Sequence, residues 1–165
     1  MAQRGACQTH PYMPGLALDR AAVSLHTRRM PDGPGMIDEI AVTPAGVFVV
    51  EHTDVRGKVR IARPLFGATR LLVDGWDRTK ALDGVDRQVR AVRHVLGAAG
   101  HRGLAVQGAI CFARADMPLL RTQYLRGHCL LCPKALARRV NAEGPLDAVA
   151  IRSIGRELAL AFPPA

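Results

Sequence analysis

Asp38 and Glu51 are the residues of this sequence best spaced to do chemistry together. They belong to two runs rich in Val and Ile, Ile37–Thr43 and Val47–Thr53, joined by Pro44, Ala45 and Gly46, which is a hairpin signal. With Pro44 and Ala45 at the tip, Val42 faces Val47, Ile40 faces Val49 and Asp38 faces Glu51. Side chains alternate along a strand, so both acids fall on one face with these aliphatic residues. Two carboxylates so placed repel unless one is protonated or a cation sits between them. A hard divalent ion such as Mg²⁺ takes oxygen ligands, polarises a phosphate and acidifies bound water. The pairing depends on register, because a one-residue bulge at Gly46 puts the acids on opposite faces. The plainer reading is two acids at fraying strand ends, each solvated or paired with an arginine.

Other reactive residues form no comparable set. Cys129 and Cys132 make a C-x-x-C, but His-Cys-Leu-Leu-Cys-Pro reads as a short buried strand. Residues three apart on a strand point to opposite faces, and no second cysteine pair completes a zinc site. Buried free thiols of a reducing compartment are the expectation for this pair; the other cysteines are Cys7 and Cys111. His26, His94, His101 and His128 are too scattered for a triad, and Ser24 and Ser153 lack a nucleophile-elbow setting. His52 should point away from Glu51 and is read as structural. The stretch Gly97–Gly103 has neither the lysine nor the preceding strand of a phosphate-binding loop.

The chain has 165 residues and a net charge of +9, with 23 Lys and Arg against 14 Asp and Glu. Lysine occurs only at 58, 80 and 134, a bias that a GC-rich genome also produces. Between Arg56 and Arg102, however, eleven basic residues stand against four aspartates. That local excess suits a phosphate-facing surface, since neutralising phosphates releases counterions. Arg56, Lys58, Arg60 and Lys80 are the expected nucleic-acid contacts. Aromatic residues are 4%, which argues against base-stacking platforms. No apolar run reaches the roughly 18 residues of a membrane span, and no signal-like segment opens the chain. A cytoplasmic protein with no membrane partner is expected; the oligomeric state is not legible.

The elements that must position the acids follow from periodicity. Residues 1–22 read as a loose arm with at most a helical turn near Leu16–Ala22, and 23–165 as the domain. Ala22–Thr27 suits a first strand, Arg28–Gly35 a turn, and Asp54–Arg70 a basic stretch before a short strand at Arg70–Val73. Val85, Val89, Val92 and Leu96 recur at helical spacing within Asp83–Leu96. Leu104–Phe112 and Arg126–Cys132 read as strands, and Pro133–Val140 as a helix with proline in its first turn. Pro145–Phe162 closes the chain as an amphipathic helix with Leu146, Val149, Ile154, Leu158 and Phe162 on its apolar side. This order predicts an α/β domain with a mixed sheet flanked by helices.

The segment Met36 to Glu51, followed by Arg56-Gly-Lys-Val59, resembles the central pattern of the nuclease-related (NERD) domain. That pattern has an Ile-Asp-His-like start, a Gly-Val-(Phe/Tyr) strand, an acid-x-Lys end and a Gly-Lys-Val continuation. Arg70 to Lys80, Gln88, Cys111-Phe112, Asp116, Pro118, Pro133 to Arg139 and Gly144 to Leu146 resemble later family segments in order and spacing. The resemblance runs from about Val23 to the C-terminus. It implies a restriction-endonuclease-like core acting on DNA, with Mg²⁺ or Mn²⁺ held by Asp38 and Glu51 and with Gln88 supporting the site. Two departures stand out. Thr53 occupies the lysine position, leaving a cation to come from elsewhere, with Lys58 and Lys80 as candidates. The acidic N-terminal helix of the family has no clear counterpart, since only Asp19 and Asp32 are acidic before Ile37. The alternative expectation is a non-catalytic nucleic-acid-binding or scaffold protein that keeps the fold.

Overall fold

The structure is a computed structural model that describes Leu18 and residues 21–117 and 122–165. The arm, with Asp19, and Pro118 lie outside the described residues, except for Leu18, Ala21 and Ala22. Eleven elements follow in order: β1 (Val23–Arg29), β2 (Met36–Thr43), β3 (Gly46–Ala62), β4 (Arg70–Val73), β5 (Trp76–Asp77), α1 (Lys80–Ala98), β6 (Val106–Asp116), β7 (Gln123–Leu125), β8 (His128–Leu131), α2 (Pro133–Val140) and α3 (Ala148–Ala161). The strands form one eight-stranded sheet ordered β1-β2-β3-β6-β8-β7, with β4 and then β5 added beside β3. β3, β6 and β8 run parallel, and the other pairings are antiparallel. Among the described residues the fold is therefore α/β with a mixed sheet flanked by three helices, compatible with a restriction-endonuclease-like fold.

Helix α1 forms because its apolar residues keep a 3.6-residue period. Leu82, Val85, Val89, Val92 and Leu96 are all buried in the main core with Ile40, Val42, Val47 and Val49. Each such side chain contributes roughly 1.5–3 kcal/mol when fully buried. Helix α3 joins the same core through Ile151, Ile154 and Leu158. Helix α2 covers a second cluster with Leu136 and Val140 against Ala41, Phe48, Val50, Cys111, Cys129 and Leu131. The strands β2, β3, β6 and β8 thus alternate, one side chain to the α1 face and the next to the α2 face.

Three expectations need correction. The first part of the basic stretch Asp54–Arg70, expected to follow a strand that ends at Thr53, belongs to that strand: β3 continues to Ala62, with its register against β6 shifting between Thr53 and Arg56. The positive residues hid an alternating strand, in which Arg56, Lys58 and Arg60 are exposed and Val59 between them is buried. The short strands β5 and β7 also lacked a sequence assignment. Each closes a two-residue turn, Asp74-Gly75 and Arg126-Gly127, with both residues at positive φ as the right-handed twist of a hairpin requires. On α3, Val149 is 66% exposed and Ile151 takes the inward position instead, because the helix starts at Ala148 under an Asp147 cap. Cys129 lies in β8, Cys132 caps α2, and both are buried free thiols, as is Cys111.

Candidate active site

The hairpin has the unbulged register at its tip. Thr43 pairs with Gly46, Val42 with Val47, Ile40 with Val49 and Glu39 with Val50. Beyond Glu39 the two strands separate. The backbone N–H of His52, which lies past the last ladder pair, donates instead to Asp38 Oδ2 at 2.8 Å. Farther along the same edge, β4 takes over only from Val59. At the near side of that junction the Lys58 N–H donates to Asp74 Oδ1 at 2.7 Å, and the Asp74 N–H donates to the Lys58 carbonyl at 3.1 Å. Gly57 is obligatory there, since its φ is +113° and a Cβ would fall on the Asp74 carboxylate. So β3 changes partner between Val50 and Val59, and an aspartate fills the ladder at each end of the gap.

Glu51 and Thr53 project from this part of β3 into one cavity of about 150 Å³. Val55, Leu71, Ile110, Phe112, Ala81 and Arg78 complete its lining. A water molecule takes ~30 Å³ of liquid volume, so the cavity has room for several. Gly84 of α1 faces the carboxylate: a Cβ at that position would lie 3.5 Å from Glu51 Oε2. A glycine inside a helix gives up roughly 1 kcal/mol relative to alanine, and here it keeps α1 open beside the acid.

Burial and the nearby charge of Asp38 push the Glu51 carboxyl above its ordinary range. The tip register is the one the spacing predicted, but the ladder ends at Glu39 and Val50. Asp38 and Glu51 are therefore not paired in it and act on each other only through their charges. Asp38 is exposed and is not part of the cavity lining. Neither acid makes an ion pair with a described residue. Gln88 lies one helical turn beyond Gly84; its Nε2 donates to the Met36 carbonyl at 3.0 Å, fixing the start of β2 two residues before Asp38. Its Oε1 is buried without a hydrogen-bond partner. The other sequence candidates stand apart from the cavity. Arg56, Lys58 and Arg60 are exposed along β3, and Lys80 is exposed at the first residue of α1.

The residue that sequence reasoning missed is Arg78. It follows the β4–β5 hairpin and precedes Thr79, so only the fold brings it into the lining of the cavity that Glu51 and Thr53 share. Thr53 itself contributes a hydroxyl that accepts from the Val55 N–H at 3.4 Å. A second missed feature occupies the other face of the same strands. Glu39, 1% exposed, accepts from Ser24 Oγ at 2.6 Å and from His52 Nε2 at 2.9 Å. His26 Nε2 in turn reaches Ser24 Oγ at 3.0 Å. Burial raises the Glu39 carboxyl, but the hydrogen bonds from His52 and Ser24 and the charges of His52 and His26 bring it below its usual value. His52 thus points away from Glu51, as strand alternation requires.

Among the described residues no group of three or more His, Cys, Asp or Glu side chains converges on a common point. Mg²⁺ sites are commonly built on one or two carboxylates with water and substrate phosphate completing the shell, so a two-acid set fits that ion. No helix among the described residues is long and apolar enough to cross a membrane. Comparison with curated proteins yields no match, and comparison with solved structures yields none either. The profile of the nuclease-related domain matches residues 14–113, which include both acids, Thr53, Arg78 and Gln88. With more than half of its length so matched, the chain belongs to the nuclease-related domain family.

Proposed function

We propose that this chain is a metal-dependent DNA nuclease in which Asp38 and Glu51 hold Mg²⁺ or Mn²⁺. The observation that supports this most is the acid pair itself. Two carboxylates from neighbouring strands lie in each other's field, and Glu51 is held above its ordinary range with no protein cation paired to it. Such an arrangement destabilises the metal-free fold and is relieved by a divalent cation. When bound, the ion supplies Lewis-acid polarisation of the phosphate and acidification of water.

The chain's own residues supply the rest. Gln88 fixes the start of β2 and hence Asp38, and Gly84 leaves the space beside Glu51. Arg56, Lys58 and Arg60 sit two residues apart, so their Cα positions repeat at roughly 6.6–6.8 Å along the strand, a spacing suited to successive phosphates. With Lys80 they hold the DNA backbone without reading bases. In the reaction, a water oxygen bonds to phosphorus and gives up a proton to solvent, one ester P–O bond breaks, and the departing oxygen takes a proton from solvent. The catalytic unit is residues 23–165, in the cytoplasm.

Thr53 favours a second reading, because a threonine offers no cation at the acid-x-Lys position. In that reading the domain binds nucleic acid without cutting it. Incubation with supercoiled plasmid and with single-stranded DNA, in Mg²⁺ and then Mn²⁺, separates the two. Nicking that disappears in EDTA and in Asp38→Ala supports hydrolysis. A parent protein inert on both substrates with both ions refutes hydrolysis and leaves the binding role.

A further inference from the structure

We infer that Arg78 is the phosphate-binding cation of the Glu51 cavity, standing in for the ammonium that Thr53 does not provide. The inference rests on the nuclease reading for its chemistry, but its geometry is independent of whether bonds are cut. Arg78 lines the same cavity as Glu51 and Thr53, whereas Lys58 and Lys80 do not. Its guanidinium has no hydrogen-bond or ion-pair partner among the described residues. In particular it makes no ion pair with Glu51, whose carboxyl is shifted by burial and Asp38 alone. Its backbone is fixed, with the N–H donating to the Leu71 carbonyl at 2.8 Å. Just beyond it, Thr79 Oγ accepts from the Leu71 N–H at 3.0 Å and the Thr79 N–H donates to Asp77 Oδ1 at 2.9 Å. A hydrogen-bonded backbone thus holds Arg78, exposed and with no side-chain partner among the described residues, in the lining of a cavity whose other polar side chains are one carboxylate and one hydroxyl.

Guanidinium chemistry decides the role. Its planar fork of N–H donors matches two phosphate oxygens, and it stays protonated at every working pH. It therefore cannot take a proton from water, but it can hold a phosphodiester and offset the charge that grows on the oxygens around phosphorus. The ligand class is a phosphodiester whose phosphate lies between Arg78 and the acid pair.

The test is binding of a short DNA duplex with Ca²⁺ in place of Mg²⁺, followed by fluorescence anisotropy, beside nicking assays in Mg²⁺ and Mn²⁺. Arg78→Ala should weaken binding by about tenfold or more, the value of one charge-assisted contact. Arg78→Lys should retain part of the affinity, and Arg152→Ala on α3 should change it by no more than about twofold. Thr53→Lys should restore affinity to Arg78→Ala, since the new ammonium enters the same cavity. The inference is overturned if Arg78→Ala binds like the parent, or loses no more than Arg152→Ala. Absence of nicking in every protein, with the Arg78-specific binding loss intact, refutes hydrolysis and leaves Arg78 as the phosphate ligand.

Discussion

Glu39, buried, and Glu51, half-buried, are carboxylates on opposite faces of the same hairpin, and their surroundings have opposite effects. Glu39 is supplied with donors from Ser24 and His52 and is brought below its ordinary range. Glu51 has burial and a second carboxylate beside it, and is pushed above its range. A buried charge is stable only when it is paired or hydrogen-bonded. The α2 face meets that demand within the protein, whereas the α1 face leaves it to a ligand. Strained electrostatics of this kind collect at working sites, and here they coincide with the cavity and with an unpaired arginine.

Substitutions on the two faces should therefore differ in kind. The largest effect expected is on rate: Asp38→Ala should lower divalent-dependent nicking by more than the roughly 10–100-fold typical when a group behind a metal ligand is removed. Thr53→Lys, on the same face, should instead raise nicking by about an order of magnitude, measured as initial rate on supercoiled plasmid. On the α2 face the expected effect is on stability. Glu39→Ala leaves Ser24 and His52 without their acceptor and should reduce unfolding free energy by about 3 kcal/mol in urea titrations.

Glu51→Gln should do the reverse and raise the melting temperature of the metal-free protein in EDTA at neutral pH. The signs follow from linkage. Glu39, with its folded value lowered, contributes stability above the ordinary carboxylate range, and that contribution is lost as pH falls through the lowered value. Glu51, with its folded value raised, leaves the fold most stable below the ordinary range, and stability is lost as pH rises through the raised value. Melting curves across acid pH should accordingly show Glu39→Gln and Glu51→Gln shifting the profile in opposite directions. The smallest effect is at Gly84. Gly84→Ala should stabilise α1 by about 0.5–1 kcal/mol, since the methyl would meet Glu51 at ordinary contact distance, while weakening Mn²⁺ binding.

The hairpin was legible because Val and Ile alternate around a Pro-Ala tip, and two-residue spacing then dictates which side chains share a face. The α1 core followed equally from its 3.6-residue period. What was not legible depended on contacts far apart in sequence. The second half of β3 read as a basic stretch because its exposed face carries Arg and Lys where its buried face carries Val. The pairing of Ser24 and His52 with Glu39 joins three strands, and no local pattern marks it. Arg78 joins the cavity lining only because the Asp74-Gly75 turn and the β4–β5 hairpin fold back beside β3. Gly57 could be read as a family residue, but its reason, the Asp74 carboxylate in the place of its Cβ, is tertiary.

Isothermal titration of Mn²⁺ into the metal-free protein tests the central claim most directly. The account predicts one ion bound per chain, with binding strengthening as pH rises through the raised range of Glu51, and no ion bound by Asp38→Ala or Glu51→Gln. A parent protein that takes up no Mn²⁺, or an Asp38→Ala variant that binds it as the parent does, would contradict the assignment.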